Sequence, residues 1–104
     1  MTLGAESDAV QAFIRERQTE VLASAIADIQ RAPLTELRAV LHAADGTVGS
    51  YQLDAAHEAI ATVRAVAADP ASSDEDIESA RQTAVVTLAG LAQDLAGDRA
   101  QEQG

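Results

Sequence analysis

Residues 34–53, LTELRAVLHAADGTVGSYQL, decide the fold. Leu34, Leu37, Leu41, Ala44 and Val48 recur at three- and four-residue spacing, with Val40 on the margin, which is the apolar stripe of a helix laid on a core. Each helical residue turns by about 100°, so Arg38, His42, Asp45, Gly46 and Gly49 share a different face. That placement predicts a histidine turned to water on a helix whose other side is buried. Glycine inside a helix costs roughly 1 kcal/mol against alanine, so Gly46 and Gly49 on the His42 side need a reason. Glycine lets another surface approach the backbone closely. Equally, Asp45-Gly46 or Gly49-Ser50 reads as a turn that ends the helix there. The residue types alone leave both readings open.

Outward from this stretch, the pattern repeats on both sides. Toward the N-terminus, Val10, Phe13, Ile14, Val21, Leu22, Ile26 and Ile29 recur at helical spacing with no glycine or proline among them, predicting a helix over 8–31 with Ser7 as its N-cap and a flexible lead over 1–7. Pro33 separates it from the next helix, for which Thr35 is a candidate cap and Pro33 a candidate first residue. Toward the C-terminus, Asp54 reads as the cap of a third helix carrying Ala56, Ala59, Ile60, Val63, Val66 and Ala67, and Asp69-Pro70 ends it. His57, in its first turn, reads as solvent-facing. Ser73 and Asp76 approximate a capping box for a fourth helix with Ile77, Ala80, Ala84, Val85, Leu88, Leu91 and Leu95 inward, running to about residue 96. Residues 97–104 are polar and read as a disordered tail.

Four amphipathic helices joined by short loops predict an all-α, antiparallel up-down-up-down four-helix bundle over 8–96. The 104 residues suit one domain, and 47% hydrophobic content with only 2% aromatic residues predicts an alanine-rich, closely packed core. A net charge of -10 disfavours nucleic acid and anionic membranes as partners. No segment is apolar enough to span a bilayer, and the first eight residues lack the pattern of a secretion signal, so a cytoplasmic location is expected. The absence of cysteine rules out disulfides and thiolate metal sites.

Catalytic constellations are scarce. No glycine-rich loop precedes a Lys-Ser/Thr pair, and Thr47 and Ser50 have no identifiable oxyanion hole with which to act as nucleophiles. His42 and Asp45 are spaced to share an ion, and His57 would extend the set, but a metal site needs more ligands than one helix face supplies. What remains is an exposed imidazole, a nucleophile near neutral pH that takes a phosphoryl group on nitrogen. Such a protein carries phosphate rather than turning over a substrate, and no cofactor is implied.

The stretch LHAADGTVGSYQL resembles the phosphoacceptor segment of histidine phosphotransfer (Hpt) domains. His42 matches the phosphoacceptor, Gly46 the glycine at +4, Thr47 the small residue at +5, and Tyr51 with Leu53 the apolar residues closing the motif. The resemblance covers roughly residues 34–68. It implies a four-helix bundle with the histidine on a middle helix, a phosphorelay role, and response-regulator receiver domains or a hybrid histidine kinase as partners. It casts Arg38, Asp45, Gly46 and Gly49 as the residues that shape and dock the site. Two positions depart from the family pattern: Asp45 stands where lysine is usual, and Gln52 where glycine is frequent. An aspartate at +3 repels a phosphoryl group unless Arg38 compensates, or it orients the imidazole instead. A degenerate domain that binds a receiver without accepting phosphate is the alternative expectation, as is a self-associating helical module.

Overall fold

Leu37, Leu41, Ala44 and Val48 fall on one side of a continuous helix, and all four are buried in the computed structural model. The structure describes the backbone of residues 2–103 and the side chains of residues 8–97. Along the chain run α1 (Thr2–Arg31), α2 (Leu34–Ser50), α3 (Asp54–Ala68) and α4 (Asp74–Gln103), and the described residues include no strand. The chain is therefore all-helical. Each helix packs on its sequence neighbours and α1 packs on α4, while α2 and α4 scarcely meet, so a single core lies between the four.

That core holds Leu22 and Ile29 from α1, the α2 stripe, Ala56, Ile60 and Val63 from α3, and Ala84, Val85 and Leu88 from α4. Leu22, Leu37, Leu41 and Leu88 are each at 0% exposure. Complete burial of a leucine stabilises by about 2 kcal/mol.

The N-terminal half of α1 departs from expectation. Val10, Phe13 and Ile14 carry the helical spacing of a core stripe, yet they are 55%, 62% and 39% exposed. The reason is length. At about 1.5 Å per residue, the 30-residue helices α1 and α4 far outrun α2 and α3, which have 17 and 15 residues. Gln18 Nε2 donates to the Tyr51 carbonyl at 2.9 Å, which fixes the α2–α3 turn beside the middle of α1. Residues before that point have no short helix to pack against.

The helix limits also differ from the sequence pattern. Helical backbone begins at Thr2 rather than residue 8, so Ser7 is not the capping position, and it continues to Gln103 rather than ending near 96. The side chains of 1–7 and 98–104, where a flexible lead and a disordered tail were expected, lie outside the described residues. Pro33 caps α2 and Leu53 caps α3, leaving Thr35 and Asp54 inside their helices. Neither makes a side-chain capping bond; their carbonyls accept the first bonds of the helices, Pro33 from the Glu36 amide and Leu53 from the His57 amide, both at 2.9 Å. The cap of α4 matches its expectation. Ser73 Oγ accepts from the Asp76 amide at 3.1 Å and the Asp76 carboxylate accepts from the Ser73 amide at 3.0 Å, a reciprocal capping box.

Arg81, at 8% exposure, is the one buried charged residue among the described residues. It lies on α4 and donates to the Ile29 and Ala32 carbonyls at the end of α1, and to the Glu78 carboxylate one turn back. A helix end leaves its last carbonyls without intrahelical partners, and Arg81 supplies donors to them from another helix. Its hydrogen bond holds Glu78 below the usual carboxylate range.

Candidate phosphoacceptor site

α2 continues through Gly46 and Gly49 to Ser50, so neither glycine marks a turn. A Cβ built on either one would meet nothing within 4 Å. Internal packing therefore does not require glycine at these positions, and the space beside them is open. Replacing Gly46 by alanine is expected to raise folding stability by up to about 1 kcal/mol, the helix propensity difference. Gly46→Arg should leave the fold intact, since the added side chain enters open space, and a denaturation midpoint close to the wild type checks this.

His42 is exposed, while Leu41 and Ala44 beside it are buried, as the helical spacing predicts. Asp45 does not share its outward aspect. The Asp45 side chain is only 12% exposed because it turns against α3, where Arg64 Nη1 donates to Oδ2 at 2.6 Å and His57 Nδ1 meets Oδ1. The other terminal nitrogen of the same guanidinium, Nη2, lies 3.3 Å from His42 Nδ1. Four side chains thus form a line across two helices: His57, Asp45, Arg64, His42.

The geometry assigns protons. A guanidinium has donors and no acceptor, so Nδ1 of His42 accepts and the neutral ring carries its proton on Nε2. An ionised carboxylate only accepts, so Nδ1 of His57 is protonated. Asp45 therefore neither accepts a proton from His42 nor orients it directly; Arg64 stands between them. His57 is exposed but not idle.

Arg38, Ala39 and His42 from α2 face Ala61, Arg64, Ala65 and Ala68 from α3 across a groove of about 660 Å³. Alanines keep its floor shallow. Two arginines against one paired carboxylate leave the groove net positive within an acidic chain. Such a surface attracts anions.

Of the expected site residues, Arg38 and His42 line this groove, Asp45 anchors Arg64 beneath it, and Gly46 and Gly49 lie farther along the exposed side of α2. The proposed ion shared by His42, Asp45 and His57 does not fit this arrangement, since Arg64 occupies Asp45 Oδ2 and faces His42. No group of three or more His, Cys, Asp or Glu side chains among the described residues is placed to hold a metal. Thr47 and Ser50 bond back to the Ala43 and Gly46 carbonyls, as hydroxyls inside helices commonly do.

Gln52, at the turn into α3, has φ of 57°, the left-handed region that glycine adopts without steric cost. Gln52→Gly is expected to stabilise the fold by about 1 kcal/mol, measurable as a higher denaturant midpoint at unchanged slope.

No protein-family model, no curated protein and no solved structure matches the chain.

Proposed function

We propose that this chain is a phosphocarrier, an antiparallel up-down-up-down four-helix bundle of the histidine phosphotransfer kind, in which His42 accepts a phosphoryl group and passes it on. The observation that carries this reading is an exposed imidazole on a middle helix, set in a groove with two arginines and beside two glycines that clear the approach. The partners in this reading are a response-regulator receiver domain, a hybrid histidine kinase, or both. Gln52 also supports the reading, since a positive φ falls where the resembled family often has glycine.

Asp45 no longer stands against it. Its charge is directed to Arg64 on α3 rather than to the space in front of His42. A cation from the neighbouring helix thus occupies the role that lysine on the same helix would serve.

In the forward step, a lone pair on the imidazole attacks the phosphorus of a receiver's aspartyl phosphate. The nitrogen–phosphorus bond forms, the phosphorus–oxygen bond to the carboxyl group breaks, and its electron pair leaves on the aspartate carboxylate. The proton on the other ring nitrogen passes to water. The return step reverses each change, so the carrier hydrolyses nothing. Incubation with a phosphorylated receiver tests this: acid-labile label on the wild type and none on His42→Gln is expected, and equal labelling of both overturns it. Receiver binding that survives His42→Ala without any label on the wild type would make the chain a docking module instead.

A further inference from the structure

Resting on that reading, we infer that Arg64 is a positioning residue with two alternating partners, holding His42 in one tautomer while the groove is empty and turning to the phosphoryl group when it enters. Arg64 is tethered at one end only in the sense that matters: Nη1 is committed to Asp45 at 2.6 Å in a partly buried pair, whereas Nη2 makes a longer 3.3 Å contact to His42. A bond from a guanidinium to an anionic oxygen is roughly twice as strong as one to a neutral acceptor. An entering phosphoryl oxygen therefore outcompetes the imidazole for Nη2, and the Asp45 anchor keeps the guanidinium in place while it switches.

Loss of that contact changes what His42 can do. With Nη2 on Nδ1, the ring's free lone pair is covered and Nε2 carries the proton. Once Nη2 moves to the anion, Nδ1 is uncovered and the proton is free to exchange through water between the two nitrogens. A lone pair then faces the phosphorus while the same arginine balances the phosphoryl charge. Arg38 on the opposite wall adds a second cation, and His57 on the far side of Asp45 donates to the carboxylate that holds Arg64. The resting site is thereby guarded against adventitious electrophiles and opens to an anion.

The test uses the full chain with inorganic phosphate as the probe, reading the ring nitrogens of His42 by ¹⁵N NMR, with far-ultraviolet circular dichroism to confirm folding. In the wild type, His42 should show an unprotonated, hydrogen-bonded Nδ1 and a protonated Nε2, and phosphate should shift both signals. Arg64→Ala should abolish the tautomer preference, weaken the phosphate response at least about tenfold, and slow label uptake from a phosphorylated receiver by a similar factor, since loss of a single positioned donor costs about tenfold or more. Arg64→Lys keeps a cation but not the fork, so it should restore the phosphate response without the tautomer preference. A His42 ring protonated on Nδ1 in the wild type, or an unchanged phosphate response in Arg64→Ala, overturns the inference. If the NMR results are as expected and the wild type takes no label, the carrier reading fails while the two-partner arginine stands.

Discussion

Replacing Arg81 by alanine is expected to destabilise the fold by about 3 kcal/mol, which for a domain of this size lowers the melting temperature by roughly 12 °C or more. The argument begins at the end of α1. The Ile29 and Ala32 carbonyls lie where the helix stops, and the residues that carry them are 0% and 7% exposed, so water does not readily replace a lost donor. Arg81 donates to both from α4 while Glu78 balances its charge. Alanine removes these donors together, and a buried acceptor left unpaired costs about 1–3 kcal/mol. Arg81→Met separates the causes. Methionine refills the volume but donates nothing, so it should recover only the packing part of the loss. A denaturation midpoint for Arg81→Ala within experimental error of the wild type would mean that the α1–α4 junction does not depend on these bonds.

Where sequence reasoning succeeded and where it did not has one physical pattern. Period reports which residues share a helix face, and it identified the α2 stripe, the outward His42 and the inward residues of α3 because each is settled within a few turns of chain. The capping box of Ser73 and Asp76 is equally local. Period does not report what lies opposite a face. Val10, Phe13 and Ile14 have the spacing of a core stripe, but α2 and α3 are too short to reach them. Arg81 reads as an ordinary charged position on α4 until α1 ends beside it.

The same limit governs the site. Asp45 lies on the His42 side of α2 by angle, yet its carboxylate belongs to Arg64 and His57, 19 and 12 residues farther along. A signal was present in the sequence: His57, Ala61, Arg64 and Ala68 occur at spacings of four, three and four on α3, a polar and small-residue face distinct from the stripe of Ala56, Ile60 and Val63. What the sequence withheld was that this face lies beside α2. That the charge of Asp45 is taken up by an arginine becomes visible only when α3 is placed beside α2.

The largest effect predicted for function is at His42 itself. The account places the phosphoryl group on one imidazole, that of His42, which lines the groove with Arg38 and Arg64, whereas His57, the other histidine of the chain, is not among the residues lining it. Phosphorus bonded to an imidazole nitrogen is labile to acid and stable to base, which separates it from serine, threonine and aspartate phosphates. The carrier role therefore reduces to one position and one bond type. The decisive measurement is phosphoryl transfer from a labelled receiver domain to the wild type, His42→Gln and His57→Gln, followed by acid and base treatment and mapping of the labelled residue. The account predicts acid-labile, base-stable label on His42 in the wild type and in His57→Gln, and at least a hundredfold less on His42→Gln, a loss equivalent to about 2.7 kcal/mol in transition-state stabilisation. Label that persists in His42→Gln, or a wild type that takes none from a receiver it binds, would contradict it.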